Sequence, residues 1–239
     1  MAYRKPRVGI FSLSSCEGCL VQLFSIEDRI FDILGSVELA ECRLLGVEDC
    51  GTLDVAIVEG AVTSKEEEER LIEIRKKSKI LIAFGDCACH GGRFLVKDFD
   101  REIDANLPRV GKFKSEPLDK YVEVEYHVYG CPVSREEILE LFKDLLLGRP
   151  HRPKSYNVCA ECILRENDCL LNHGVACMGP ITRGGCRAIC PTFKRECIGC
   201  RGLSEDANIE ALITIFKEKG IEIPEYLPLL KKYVGSETL

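Results

Sequence analysis

KILIAFGDCACHGG, residues 79–92, joins a short apolar run to a turn rich in glycine and cysteine. Residues 79–84 are almost continuously apolar, as expected for a strand buried on both faces of a parallel sheet. Residues 54–59 (DVAIVE) repeat this pattern, and 7–13, 37–45 and 121–129 are further candidate strands. The sequence therefore predicts an open parallel sheet with chemically active residues directly after its strands.

Longer amphipathic stretches separate these strands. Residues 19–34 predict one helix, because apolar side chains recur at intervals of three and four while acidic ones can face water. Ser64 with Glu67, and Ser134 with Glu137, are capping-box patterns that predict two more helix starts, the second helix covering 134–147. Strands that alternate with helices indicate an α/β fold.

The pattern breaks at 147–153 (LGRPHRP), where glycine and two prolines interrupt both periodicities. We place a domain boundary there, which gives domains 1–150 and 151–239. Residues 159–200 have no sustained helical or strand period, and 209–219 is helical again. A short, loop-rich segment gains little from burial, so another kind of bond is expected to hold it together.

Composition narrows the range of functions. The chain has 239 residues, 46% of them hydrophobic, and no apolar stretch approaches the roughly 18 residues of a membrane span. With a net charge of −6 and no long basic run, the sequence does not predict a positively charged surface that would bind nucleic acid or an anionic membrane. The apolar run at 8–13 is too short for a signal peptide, so we expect a cytoplasmic protein.

Fifteen cysteines are the most informative feature of the chain. Thiols in a reducing compartment seldom serve as disulfides, so metal binding is the first expectation. Eight of the fifteen lie within 42 residues, namely Cys159, Cys162, Cys169, Cys177, Cys186, Cys190, Cys197 and Cys200.

Four other cysteines follow predicted strands. Cys16 and Cys19 (SSCEGC) follow the first strand, Cys87 follows the strand ending at 84, and Cys131 follows the strand ending at 129. Ligands of open parallel sheets bind beyond the carboxyl ends of the strands, so these thiolates can meet at one edge. Four thiolates suit a [4Fe-4S] cluster, and the neighbouring glycines allow close backbone approach.

Other interpretations of the first site remain open. A CxxC after the first strand also occurs in thioredoxin-like redox proteins, although that would explain only Cys16 and Cys19. Four thiolates suit zinc as well as iron, and Cys89 or His90 could replace Cys87 as a ligand. We interpret Cys89 as a buried thiol, and Cys42 and Cys50 as small core residues.

The late cysteines divide into two groups of four: Cys159, Cys162, Cys169 and Cys177, then Cys186, Cys190, Cys197 and Cys200. The CxxxCP element at Cys190 is typical of bacterial ferredoxins, where the cysteine before proline ligates the other cluster, so the assignment of Cys190 stays open. A zinc ribbon requires CxxC pairs about 15 to 20 residues apart. Here 34 residues with four single cysteines lie between the pairs.

These motifs together resemble a known family. CxGC after the first strand, GxCAxxGG, GCP after a later strand and the cysteine-rich tail are similar to the small subunits of nickel–iron hydrogenases. The tail pattern CAEC, C, GVACMGPITRGGCRAICP, CIGC most resembles the delta subunits of cytoplasmic sulfhydrogenases, also called NAD(P)-reducing hydrogenases. The resemblance covers nearly the whole chain.

The resemblance implies a flavodoxin-like domain that holds a proximal cluster through Cys16, Cys19, Cys87 and Cys131. It also implies a distal cluster on the group that begins at Cys159 and a medial cluster on the group that begins at Cys186. Cys159 stands where periplasmic relatives have a histidine, and Cys190 supplies a fourth medial cysteine. We therefore expect three [4Fe-4S] clusters bound through twelve cysteines.

The implied partners are a large subunit carrying the Ni-Fe site and flavin/iron-sulfur reductase subunits. The chain lacks the nickel-binding CxxC pair of the large subunit, so we expect no catalytic residue here, only electron transfer. A hydrogenase linked to F420 or to a heterodisulfide reductase could use the same subunit. The alternative from another class is a zinc-stabilised interaction protein.

Overall fold

The computed structural model describes residues 4–26, 29–49, 51–92 and 115–222. The chain forms two compact units, Met1–Arg152 and Pro153–Leu239. The division falls in the segment 147–153, where Gly148 adopts a left-handed φ of 63° and two prolines lack backbone donors. No helix within the described ranges is long and apolar enough to cross a bilayer.

The first unit contains a six-stranded sheet in the described part of the chain. Its strands are β1 (Arg7–Ser12), β2 (Glu38–Cys42), β3 (Val47–Glu48), β4 (Leu53–Glu59), β5 (Ser78–Phe84) and β6 (Tyr126–Val128). Their order is β3-β2-β1-β4-β5-β6, and all neighbours pair in parallel except β2 and β3. The predicted α/β class with a mostly parallel sheet is confirmed.

This strand order creates a crevice. The chain runs from β1 outward to β2 and then returns to β4 on the other side of β1. The carboxyl ends of β1 and β4 therefore flank the point where the winding direction reverses, the usual ligand position in such sheets. Buried side chains cover both faces of the sheet, with Ile57 and Ile82 on one face and Val58 and Leu81 on the other.

Two strand predictions were too long. Residues 37–45 pair with β1 only as far as Cys42, because a 3-10 turn at Arg43–Leu45 and the left-handed Gly46 reverse the chain into β3. Residues 121–129 form a strand only at Tyr126–Val128. Before it, the backbone N–H groups of Tyr121 and Val122 donate to the Leu118 carbonyl in a turn, so they are not free to pair with β5.

The helices of the first unit are α1 (Gly18–Phe24), α2 (Arg29–Ser36), α3 (Lys65–Lys77), α4 (Asp86–His90) and α5 (Arg135–Leu146). The prediction of one helix over 19–34 was wrong, because Ser25 ends α1 and the next residue, Ile26, is buried in the core. Both serine caps are confirmed, since Ser64 accepts from the Glu67 N–H and Ser134 from the Glu137 N–H.

The second unit contains α6 (Val158–Leu164), α7 (Ile189–Thr192) and α8 (Ile209–Glu218) among its described residues. The helix expected at 209–219 is confirmed, and it buries Leu212 and Phe216 in a small core. Over 159–200 the sequence shows no sustained helical period, and the helices that the structure forms there, α6 and α7, span only seven and four residues. Asn157 caps α6 by accepting from the Ala160 N–H, and α6 buries Val158 and Glu161 but exposes Ile163 and Leu164, which hides the usual apolar pattern.

Candidate functional site

The first candidate site lies at the carboxyl edge of the parallel sheet. Cys16 is exposed in the loop after β1, and Cys19 is buried in the first turn of α1. Cys87 is partly buried in α4, which follows β5, and Cys131 is exposed in the turn after β6. The four predicted thiols thus sit on three connections that leave the same edge of the sheet.

These thiols interact electrostatically. Burial raises the pKa of the Cys87 thiol to about 12, reinforced by the charges of Asp86, Cys131 and Cys16. Burial also raises the pKa of Cys19, and the charges of Glu59, Cys131 and Cys87 add to this effect. Thiols with raised pKa values release their protons at neutral pH only when a cation compensates the negative charge, and a metal ion supplies that compensation.

Two glycines allow the backbone to pass close to the sulfurs. A Cβ atom built on Gly85, where φ is 92°, would lie 2.4 Å from the Cys19 Sγ. A Cβ atom on Gly92, where φ is 70°, would lie 2.7 Å from the Cys87 Sγ. Any larger residue would displace the thiol and adopt an unfavourable backbone conformation, so glycine is required at both positions.

Glu59 is a buried carboxylate that the sequence analysis did not identify as part of the site. It ends β4 with 2% of its surface exposed and accepts hydrogen bonds of 3.1 Å from the backbone N–H groups of Cys19 and Leu20. Burial raises the pKa of this carboxyl group, although the two donors oppose the shift. Glu59 thus replaces the missing side-chain cap of α1. Its only mark in the sequence is that a charged residue ends the apolar run DVAIVE, which does not by itself indicate burial.

The alternative ligands near Cys87 have other partners. The Cys89 Sγ lies 3.5 Å from the Ala83 carbonyl oxygen and 3.6 Å from that of Val128, and burial raises the pKa of this thiol well above its ordinary value. The Nδ1 of His90 lies 3.0 Å from a carboxylate oxygen of Asp86. Cys89 is therefore a buried thiol, as expected, and Cys42 is a core residue with 1% exposure. Cys50 lies outside the described residues.

In the second unit, two cysteines of the first predicted group, Cys159 and Cys162, lie in α6, and the other two, Cys169 and Cys177, follow it. Burial raises the pKa of the Cys159 thiol to about 12, with contributions from the charges of Cys177, Cys162 and Cys169. A Cβ atom on Gly179 would lie 3.3 Å from the Cys159 Sγ and 3.5 Å from the Cys177 Sγ. The three cysteines whose charges raise the pKa of Cys159 are thus the same three that the sequence analysis grouped with it.

Asn167 also contacts this group and was not anticipated. Its side-chain Nδ2 donates to the Cys162 Sγ at 3.4 Å and to the Thr192 hydroxyl at 3.2 Å. In the sequence, the only signal for Asn167 is that a side-chain donor stands five residues after Cys162. This pattern is too common to indicate a role.

The second predicted group is less clearly defined. Burial raises the pKa of the Cys197 thiol, and both Cys177 and Cys200 contribute to the shift. The backbone N–H of Cys197 donates to the Cys177 Sγ at 3.3 Å, so this residue contacts both groups. Cys186 is influenced by two charged side chains, Arg201 and Glu161.

The spacing of the donors bears on the kind of metal. Across the described ranges, no three His, Cys, Asp or Glu side chains meet closely enough to hold a single metal ion. A zinc tetrathiolate needs all its sulfurs at about 2.3 Å from one ion. A four-iron cluster separates its ligands more widely, since each thiolate binds a different iron. Four thiols on three connections, two of them beside glycines that admit the backbone to a sulfur, are a donor set that suits such a cluster.

Comparison with known proteins adds an independent observation. The family described as NADH ubiquinone oxidoreductase, 20 kDa subunit, matches residues 16–145. The sulfhydrogenase 2 subunit delta of Pyrococcus furiosus is 36% identical over 219 residues, which cover 89% of this chain and 92% of the relative. A subunit of the F420-non-reducing hydrogenase vhu from Methanocaldococcus jannaschii is 27% identical, covering 98% of this chain and 96% of the relative.

A solved structure supports the same relationship. A chain of an NAD+-reducing [NiFe]-hydrogenase in the H2-reduced state superimposes with a TM-score of 0.53 at 29% identity. The match covers 63% of this chain and 96% of that one.

Proposed function

Because this chain belongs to the 20 kDa subunit family of NADH ubiquinone oxidoreductase, and within it to the small subunits of nickel–iron hydrogenases, we propose that it transfers electrons in a hydrogenase. The electrons pass between the Ni-Fe site of a large subunit and a flavin/iron-sulfur reductase. Four thiols on three connections at one edge of the sheet, close enough to raise one another's pKa, carry the proposal, because four thiolates are the ligand set of a [4Fe-4S] cluster.

The proposed ligands are twelve cysteines in three sets. Cys16, Cys19, Cys87 and Cys131 would hold the proximal cluster, Cys159, Cys162, Cys169 and Cys177 the distal one, and Cys186, Cys190, Cys197 and Cys200 the medial one. When bound, [4Fe-4S] clusters accept and release single electrons. The protein supplies thiolates, excludes water and donates hydrogen bonds to sulfur, and these factors set the reduction potentials.

Several residues have defined roles in this proposal. Glu59 fixes the first turn of α1 and with it the Cys19 thiol. Gly85 and Gly92 let the backbone pass against two sulfurs, which excludes water from that side of the site. Asn167 donates to a sulfur of the distal set. A cytoplasmic location agrees with the use of so many cysteines as thiolates.

The proposed acceptor is an NAD(P)-linked or sulfur-reducing module, because the 36% identical relative is named a sulfhydrogenase. A second candidate is the electron chain of a hydrogenase that serves F420 or a heterodisulfide reductase. The similarity to the coenzyme F420 hydrogenase subunit gamma of Methanosarcina barkeri, which is 36% identical over 138 residues and covers 56% of this chain, favours it. Assays of H2-linked reduction of each acceptor by the complex would distinguish the two.

The decisive experiment measures iron, zinc and acid-labile sulfide in the complex purified without oxygen. We expect about twelve iron and twelve sulfide per copy of this chain, in addition to the iron and sulfide that the partner subunits hold. Cys131→Ala should lose about four iron and the H2-linked reduction, whereas Cys89→Ala, which removes a thiol outside the three proposed sets, should keep both. One to three zinc with little sulfide would overturn the proposal in favour of the structural alternative.

A further inference from the structure

Glu161 lies in the sequence between two cysteines of the distal set, in the first turn of α6, yet its carboxylate contacts another loop. Its Oε1 accepts from the backbone N–H of Gly185 at 2.7 Å, and its Oε2 accepts from the N–H of Ala188 at 3.2 Å. The Cys186 Sγ lies 3.9 Å from Oε2. The side chain is buried, with 8% exposure, so these contacts form away from bulk water.

The loop held by Glu161 has an unusual backbone. Arg187 and Ala188 have φ values of 55° and 49°, in the left-handed region that residues with a Cβ seldom adopt. Such a conformation persists only where the surroundings enforce it. Backbone N–H groups of one turn that face the same point form a concave site for an anion. In this protein the anion is the carboxylate of Glu161.

A second buried charge holds the other end of the same loop. Arg201 is 1% exposed, and its Nε donates to the Gly184 carbonyl oxygen at 2.8 Å. The positive charge of Arg201 lowers the pKa of Cys186, while the negative charge of Glu161 raises it and burial raises it most. The position and the electrostatic environment of Cys186 therefore depend on two buried side chains of opposite sign.

We infer that Glu161 is a positioning residue that connects the two cysteine groups of the second unit. It stands on the helix that carries Cys159 and Cys162, and it fixes the loop that carries Cys186. Its charge also makes the surroundings of Cys186 more negative, which would disfavour the addition of an electron to a cluster that Cys186 ligates. This inference rests on the proposed function, because it assumes that Cys186 ligates a cluster.

The test compares Glu161→Gln and Glu161→Ala with the wild-type complex, with Glu166→Gln as control. Glu166 is an exposed glutamate of the same unit, so its variant removes the same charge without touching the loop. Each protein is purified without oxygen, analysed for iron, and titrated redox-potentiometrically while its clusters are followed by electron paramagnetic resonance.

We expect E161Q to keep its iron and to shift one of the three midpoint potentials to a more positive value. The amide retains one acceptor but loses the negative charge that opposes reduction. E161A should lose about four iron per chain, because neither N–H group of the loop is held. E166Q should match the wild type in both measurements.

Wild-type potentials in E161Q, together with full iron in E161A, would overturn the inference. If E161A loses all its iron through unfolding, E161Q alone decides, and unchanged potentials in that variant count against a role for Glu161. A wild-type complex without iron–sulfur clusters would instead refute the proposed function. The two failures are therefore distinguishable.

Discussion

The Glu59 carboxylate, at the end of the strand beside β1, accepts a hydrogen bond of 3.1 Å from the backbone N–H of Cys19, in the helix that follows β1. Both residues are buried, since Glu59 is 2% and Cys19 is 7% exposed. The strand next to the thiol-bearing connection thus fixes that connection, although β4 contributes no thiol itself.

Removal of the Glu59 carboxylate should destabilise the first unit. Glu59→Ala leaves two buried N–H groups without their acceptor, and each such group costs about 1–3 kcal/mol of the free energy of unfolding. The midpoint of thermal unfolding, followed by circular dichroism, should fall by several degrees, together with the iron content. Glu69→Ala, which removes an exposed glutamate of α3, is the control. Equal midpoints in the two variants would show that Glu59 does not support the site.

Substitution of Gly85 should disrupt the first site directly. The new Cβ atom of Gly85→Ala would lie 2.4 Å from the Cys19 Sγ, and its backbone would keep a φ of 92°. We expect loss of about four iron per chain, measured in the purified complex. Gly35→Ala is a matched control in α2, because its Cβ atom would meet nothing within 4 Å. This control should gain about 0.5–1 kcal/mol from helix propensity and keep all its iron. Full iron in G85A would contradict the packing described for Cys19.

The raised pKa of Cys87 predicts a characteristic pH dependence. With a pKa of about 12, the thiolate fraction in iron-free protein rises about tenfold for each pH unit between 7 and 10. The rate of alkylation of Cys87, followed by mass spectrometry, should rise in the same way without a plateau. A thiol with an ordinary pKa of about 8.5 would level off near pH 9. In the loaded complex, ligation should protect Cys87 at every pH, and rapid labelling there would argue against its role as a ligand.

The sequence predicted the parallel sheet because β4 and β5 are short, almost wholly apolar runs, which is typical of strands buried on both faces. It also predicted that Cys16, Cys87 and Cys131 leave the same edge, since this follows from parallel topology alone. The break between α1 and α2 could not be predicted, because apolar residues spaced by three and four fit one helix or two. Burial of Ile26 decides between them, and burial depends on the tertiary structure.

The carboxylates around the thiols could not be predicted either. Glu59 and Glu161 occupy positions where a surface charge is the ordinary expectation, and only their burial reveals their roles. Helix α6 was not predicted because it buries Glu161 against the loop at 185–188 and exposes Ile163 and Leu164, the reverse of an amphipathic pattern. In both cases long-range contacts, and not local preferences, determine the outcome.

Substitution of Asn167 tests the proposed distal set through the midpoint reduction potential of the cluster it would hold. Its Nδ2 donates to the Cys162 Sγ at 3.4 Å, and a hydrogen bond to a ligating sulfur stabilises the more negative, reduced state of a cluster. Asn167→Ala should therefore lower one midpoint potential while leaving the iron content unchanged. Asn172→Ala is the control, because the side chain of Asn172 is exposed and accepts from Lys219. A redox titration of both variants decides the matter: equal potentials would mean that Cys162 does not ligate a cluster or that Asn167 does not donate to it. In the first case Cys162→Ala would also retain full iron, and in the second it would lose about four iron per chain.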